Sequence, residues 1–441
     1  MTAREVALLT LGACERRGAW SDGLLKKSIR EGGLDRRDAA LATKLCLGVL
    51  QNKILLDFYL SQYSTMKLEK MELKVRNALR LGIYQMAFLT RVPHSAAVNE
   101  SVALVRRHCK NPRAAGMVNG ILRTVSRNID RLPVLDARDP VLYLSLRYSH
   151  PEWLVRAHCA ELGLEETEGL LQWNNSDSPT VAQVNTCKTD VEALTAALLE
   201  EGVQAEQHTW LENTLILSDT GDLEELSAFQ EGAFYVQGAA ARLVVTAAGL
   251  QPGMHVLDAC AAPGGKSFAA AMDMEDKGEI LACDIHSHKK KLIEAGALRL
   301  GLQSIKALIL DGKKRDEALE ERFDAVITDV PCSGLGVIRK KPEIRYKSPE
   351  DLEGLPEVQG AILDNVSAYV KPGGVLLYAT CTLLRRENED VVAAFLKGHP
   401  EFTLEPFDLP EPVGACREGL ITLWPQRHAT DGFFIAKLRK A

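Results

Sequence analysis

Along the first third of the chain the apolar residues recur at three- and four-residue spacing, as in Leu41, Leu45 and Val49 and again in Leu81, Tyr84 and Phe88. That period predicts amphipathic helices from Arg4 to about Arg127, interrupted at Gly32-Gly33, around Pro93 and at Asn111-Pro112. Between Asn128 and Pro151, Pro133, Pro140 and Pro151 break any clean period, which predicts a linker with one short helix. Glu152 to Leu171 again reads as helix. Val181–Thr186, Val191–Glu201 and Leu215–Leu217 then give strand, helix and strand signals, as a small α/β unit would.

Beyond Val236 the period changes. Short apolar runs at His255–Leu257, Ile280–Ala282, Ala307–Leu310, Ala325–Ile327 and Val375–Tyr378 alternate with helical stretches. Continuous apolar runs suit strands covered on both faces, so a doubly wound, Rossmann-like parallel sheet is expected, with its ligand beyond the strand ends. The expected fold class is therefore multidomain: an all-α helical domain at 1–130, a linker plus a small α/β, RRM-like domain at 131–235, and an α/β doubly wound domain at 236–441.

Composition trims the alternatives. The 441 residues are 46% hydrophobic and 25% charged, which excludes wholesale disorder and a fibrous repeat. No apolar stretch approaches the roughly 18 residues of a membrane span, the nearest, Leu243–Leu257, being broken by Pro252 and Gly253. No membrane partner is expected. The ten cysteines are scattered, the closest pair, Cys260 and Cys283, lying 23 apart, so reduced thiols in a cytoplasmic protein without a metal site are expected. A monomer is the simplest assembly.

Charge is unevenly spread behind a net −6. Residues 1–130 hold 22 Lys and Arg against 11 Asp and Glu, whereas 131–235 hold 5 against 19. The first unit suits a polyanion such as RNA, and the acidity of the second argues against its being the main RNA clamp.

The first strand of the last domain opens into Asp258-Ala259-Cys260-Ala261-Ala262-Pro263-Gly264-Gly265-Lys266-Ser267, a small-residue turn leading into a helix at Phe268–Met272. Small residues let backbone amides approach a bound cofactor, and a helix N-terminus favours an electronegative group. Asp284, Asp311 and Asp329 lie at or just past three further strand ends, and Asp284 follows Asp258 by 26 residues, near the spacing of an acid that takes ribose hydroxyls. Together they point to a nucleoside cofactor. Cys332 and Cys381 stand just past the fourth and fifth strands, which neighbour each other in the usual doubly wound order, so both thiols can face one crevice. Arg339, Lys340, Lys341, Arg345 and Lys347 follow the Cys332 loop and are candidates for phosphate contact.

Asp258–Lys266, Asp329–Gly334 and Thr380-Cys381 together resemble the RNA cytosine-5 methyltransferases. The helical N-terminal unit resembles the NusB-type RNA-binding domain, and the combination resembles the bacterial 16S rRNA methyltransferases of the RsmB (Sun) type. The resemblance implies S-adenosylmethionine as cofactor, contacted by Cys260, Ala261, Ala262, Pro263, Gly264, Gly265, Lys266, Asp284, Asp311 and Asp329. It further implies Cys381 as nucleophile, Cys332 as an aid to product release, and 16S rRNA, naked or partly assembled, as partner. Val330, Gln183, Gly238 and Arg242 depart from the pattern, as does Thr382, which stands where Ser is usual after the nucleophile. The competing readings are a non-catalytic NusB-like RNA-binding or antitermination factor, and a cytosine-5 methyltransferase acting on another nucleic acid, with Cys332 as nucleophile in the case of DNA.

Overall fold

The structure, a computed structural model, describes residues 1–17 and 21–441. The chain folds into two compact units, Met1–Ser176 with Ile338–Lys347, and Asp177–Val337 with Ser348–Ala441. The first unit thus continues past residue 130, absorbs the stretch expected as a linker, and takes a short segment from the second half of the chain.

Seven helices begin the first unit: α1 (Ala3–Arg17), α2 (Ser21–Gly32), α3 (Arg36–Gln51), α4 (Lys53–Tyr63), α5 (Leu73–Phe88), α6 (His94–His108) and α7 (Ala114–Arg127). Asp35 starts α3 by accepting a hydrogen bond from the Asp38 amide at 2.8 Å. The apolar stripes meet in one core that includes Leu8, Leu45, Leu56, Leu81 and Leu122. At Gly48 a Cβ would stand 2.0 Å from the Tyr84 ring, so only glycine lets α3 and α5 approach this closely. The unit continues with α8 (Pro140–Tyr148), α9 (Glu152–Leu162) and α10 (Leu164–Asn174). One helix was expected over Glu152–Leu171. Gly163 divides it, at φ +80°, a conformation side-chain-bearing residues avoid. Among the described residues no single helix is long and apolar enough to cross a membrane.

The second unit opens with a four-stranded antiparallel sheet, β1 (Thr180–Val184), β2 (Gln204–Gln207), β3 (Thr214–Ser218) and β4 (Phe234–Val236), in the order β2-β3-β1-β4. Helices Val191–Glu200 and Ser227–Gln230 complete a ferredoxin-like β-α-β-β-α-β order. The strand expected to reach Thr186 ends at Val184, because the Asn185 side chain turns to donate to the Gly232 and Leu300 carbonyls at 2.8 and 2.9 Å.

The large sheet has β5 (His255–Asp258) at its centre, flanked by β6 (Glu279–Asp284) and β7 (Ile305–Ile309) on one side and by β8 (Phe323–Asp329) and β9 (Val370–Thr380) on the other, all parallel. Successive residues serve opposite faces: Val256, Ile327 and Leu377 enter one core, Leu257, Val326 and Leu376 the other. Burial on both faces explains the unbroken apolar runs. The sheet also has an antiparallel end absent from the expectation: β14 (Phe433–Lys440) pairs with β9, and β10 (Phe402–Leu404) and β13 (Leu420–Leu423) pair with β14.

Candidate active site

The C-terminal ends of β5, β6, β8 and β9 define the site. After β5 the chain turns back sharply, Ala261 N donating to the Cys283 carbonyl at 2.8 Å and Gly264 N to the Ala261 carbonyl at 2.7 Å. Gly264 sits at φ +115°, where a Cβ would lie 2.4 Å from the Phe268 ring, so the turn requires glycine. Helix Gly265–Asp273 follows, and Gly264 offers its first turn no side-chain acceptor. The positive end of this helix is left for another negative group. Ala261 is buried, Ala262 half-buried and Pro263 exposed. Burial pushes the Cys260 thiol well above its ordinary value, which makes it a poor nucleophile despite its place in the loop.

Lys266 and Asp329 form an ion pair across the site. Burial alone would lower the Lys266 ammonium, but Asp329 and then Asp258 outweigh it, and the net shift is upward. Asp258 is fully buried at the end of β5. Burial raises its carboxyl to about 6 against the opposing hydrogen bond from Ser267. Ser267 Oγ donates to Asp258 Oδ2 at 2.7 Å, while Oδ1 has no hydrogen-bond partner among the described residues. Asp258 belongs to the site although only Asp284, Asp311 and Asp329 were expected there. The strand-end criterion that picked out those three applies equally to it.

The structure distributes the other acids unequally. Asp284, at the end of β6, is buried, its Oδ1 accepting from the His286 amide at 3.1 Å and its Oδ2 lying 3.4 Å from Lys289 Nζ. Asp311, just past β7, is half-buried and accepts from the Lys313 amide at 3.1 Å.

The two thiols converge. β8 and β9 pair directly, Asp329 opposite Ala379, so the turns after them lie side by side. Cys332 Sγ and Cys381 Sγ are 3.2 Å apart, and the Cys381 amide donates to Cys332 Sγ at 3.3 Å. The hydrogen bond with Cys381 and then burial hold the Cys332 thiol well above its ordinary value. Thr382 has a defined place: Ser333 Oγ donates to its hydroxyl at 2.6 Å. Ser supplies the same oxygen, so the departure from the usual residue is conservative here.

The basic segment behaves differently from its expectation. Arg345 is fully buried within the first unit and cannot meet a phosphate in this conformation. Its Nη1 donates to the carbonyls of Gln51, Tyr148 and Ser149 at 3.1, 3.3 and 3.3 Å and to Asn175 Oδ1 at 2.8 Å, and its Nη2 to the Asn174 carbonyl at 3.4 Å. Gln51, Tyr148 and Asn174 end α3, α8 and α10, so one guanidinium caps three helix C-termini. Arg339 stacks over Trp173 at 4.4 Å; Lys340 and Lys347 are half-buried and Lys341 is exposed.

Three segments of the chain match known families. Residues 245–439 match the family described as 16S rRNA methyltransferase RsmB/F, residues 1–127 the NusB family, and residues 150–224 the ferredoxin-like domain of RsmF/B-like methyltransferases. A Bacillus subtilis protein named probable ribosomal RNA small subunit methyltransferase B is 39% identical, covering 100% of this chain and 99% of its own length. The Escherichia coli ribosomal RNA small subunit methyltransferase B is 32% identical over 92% of this chain and 91% of its own. The crystal structure of PH0851 superposes with a TM-score of 0.84 at 26% identity, covering 100% of this chain and 99% of that one.

Proposed function

The chain belongs to the RsmB/F family of 16S rRNA methyltransferases, and from that premise we propose that it moves a methyl group from S-adenosylmethionine to carbon 5 of a cytosine in 16S rRNA, with Cys381 as covalent nucleophile. The convergence of Cys332 and Cys381 to 3.2 Å at the ends of adjacent parallel strands carries the reading. A single buried cysteine has many explanations. Two thiols in contact, beside a Lys266–Asp329 pair and a small-residue turn, suit chemistry that needs one sulfur to attack and another to assist.

The residues fit the cofactor. Helix Gly265–Asp273 lacks a side-chain cap, the turn at Gly264 leaves no room for a Cβ, and a buried Asp258 oxygen has no hydrogen-bond partner among the described residues. Cys260–Lys266 would hold its amino-acid end, and Asp284 and Asp311 its nucleoside, with Asp329 beside the reacting centre. When bound, it supplies an electrophilic methyl group. The chain supplies the rest. Cys381 as thiolate adds to carbon 6 of the ring, which makes carbon 5 enamine-like and able to take the methyl. Cys332 then assists removal of the carbon 5 proton, and the bond between carbon 6 and Cys381 breaks as the product leaves.

Single substitutions separate the two thiols. Cys381→Ala should form no covalent RNA adduct and transfer no methyl group. Cys332→Ala should attack and methylate once, then accumulate as a protein–RNA adduct that survives a denaturing gel. An adduct retained in Cys381→Ala and lost in Cys332→Ala would overturn the assignment and make Cys332 the nucleophile.

A further inference from the structure

Glu387 is fully buried, follows the Cys381 loop, and has no part in the chemistry just described. Its Oε2 accepts from the Ser333 amide at 2.8 Å and from Gln359 Nε2 at 2.9 Å, while its Oε1, also buried, has no hydrogen-bond partner among the described residues. Gln359 Nε2 lies 3.1 Å from the Pro331 carbonyl, so the two side chains grip the loop on both sides of Cys332. The Glu387 backbone is fixed in turn, its carbonyl accepting from Tyr378 Oη at 2.6 Å. No ion pair holds the carboxylate among the described residues. A buried carboxylate without a cation is costly, and an amide could make the same two contacts, so packing alone does not account for an acid here.

What the charge can act on is the sulfur next to the amide it holds. The charged and titratable groups that act on Cys332 include Cys381, Asp329 and Glu387, and after Cys381 and burial it is Asp329 and then Glu387 that raise its thiol. With the two sulfurs 3.2 Å apart, a fixed negative charge near one of them disfavours a thiolate at that position. We propose that Glu387 is a positioning residue that clamps the Cys332 loop and disfavours a thiolate there before the attack, leaving Cys381 as the thiolate; once Cys381 is bonded to carbon 6, Cys332 releases its own proton to solvent and is free to take the one from carbon 5. The proposal rests on the reading of Cys381 as nucleophile.

The test is alkylation of the full-length protein by iodoacetamide across pH, with each thiol quantified by peptide mass spectrometry. Wild type should modify Cys381 faster than Cys332. Glu387→Gln should lower that ratio about tenfold, the effect of one pKa unit, and lower kcat with KM for RNA unchanged. Glu387→Asp keeps the charge and should keep the ratio. A purely structural role would lower the melting temperature and leave the ratio alone. A wild-type preference for Cys332 would overturn the nucleophile assignment itself. A preference for Cys381 that persists in Glu387→Gln would overturn the role of Glu387, as would loss of the preference in Glu387→Asp should the Gln variant not fold.

Discussion

Lys266 and Arg345 are both buried cations, yet the molecule holds them by opposite means. Lys266 meets carboxylates, Asp329 directly and Asp258 behind it, and its ammonium is shifted upward. Among the described residues Arg345 donates only to carbonyl and amide oxygens, and burial lowers it to about 10, Tyr346 and Glu343 offsetting only part of the lost hydration. It stays charged at neutral pH all the same. The difference separates a site from a scaffold. A cation paired with acids leaves titratable groups that a ligand or a proton can recruit, whereas a cation whose terminal nitrogens are spread over helix ends is held by geometry, with its buried Nε left unpartnered among the described residues.

The largest effects should come from removing each cation. Arg345→Met strips the caps from α3, α8 and α10 together and should cost the first unit about 3–5 kcal/mol, by analogy with breaking a buried charge contact. Its hydrogen-bond partners do not titrate, and the buried His150 near it, lowered by burial and then by Arg345, is neutral above pH 7, so the loss should be the same at pH 7 and pH 8.5. Lys266→Met should cost less, about 2–3 kcal/mol at pH 8, because Asp329 is partly exposed and water screens what remains. That loss should shrink on acidification, since the stranded carboxylates can take protons. Hydrogen exchange at the last turns of the three helices reads the first variant, and thermal melts against pH read both. A pH-independent Lys266→Met, or an Arg345→Met whose deficit changes above pH 7, would break the comparison.

Neither role could be told from the sequence at equal depth. Lys266 was legible because a small-residue turn between strand and helix has few uses, and its neighbours at strand ends repeat the message. The parallel strands were legible for the same physical reason: Val256, Leu257, Ile280, Val326 and Leu376 are buried on both faces, so their runs are unbroken. Arg345 sits among cations that read alike, and only contacts with residues some 170 to 294 positions away decide its place. Glu387 had no local signal for a similar reason, its partners Ser333 and Gln359 being 54 and 28 positions distant. The antiparallel strands β10, β13 and β14 were missed because β10 and β13 are short, and because the apolar run that opens β14, Phe433–Ala436, carries no local sign of its antiparallel pairing with β9, more than 50 positions away.

A smaller effect isolates the acid side of the Lys266 cluster. The Asp258 carboxyl, raised to about 6 by burial, is above its unfolded value of about 3.9. Its contribution to stability is therefore present below about pH 4 and is lost as pH rises through 6, because the folded state resists ionisation that the unfolded state permits. Asp258→Asn keeps an acceptor for Ser267 and cannot ionise. Relative to wild type it should gain about 1–3 kcal/mol between pH 5 and 7.5. Melting temperatures that differ by a constant amount across that range would show that burial does not govern this group.

The smallest effect lies on the scaffold side, at the other end of the segment that carries Arg345. Glu343 accepts from the Ser21 amide at 2.7 Å and from Ser21 Oγ at 2.8 Å, at the first residue of α2. The segment thus sets an acid at a helix N-terminus and a guanidinium at helix C-termini, each sign matched to its end of the macrodipole. Glu343→Gln preserves an acceptor and removes only the charge, so it should cost about 0.3–1 kcal/mol at low salt. Glu343 is half-buried, and counterions reach it where they cannot reach Arg345. Near 1 M salt, with a Debye length of about 3 Å, the deficit of Glu343→Gln should therefore fade while that of Arg345→Met stays. Denaturant melts of the two variants at both salt concentrations measure this directly. A deficit in Glu343→Gln that persists at high salt would mean that the hydrogen-bond geometry, and not the charge, is what α2 requires from the inserted segment.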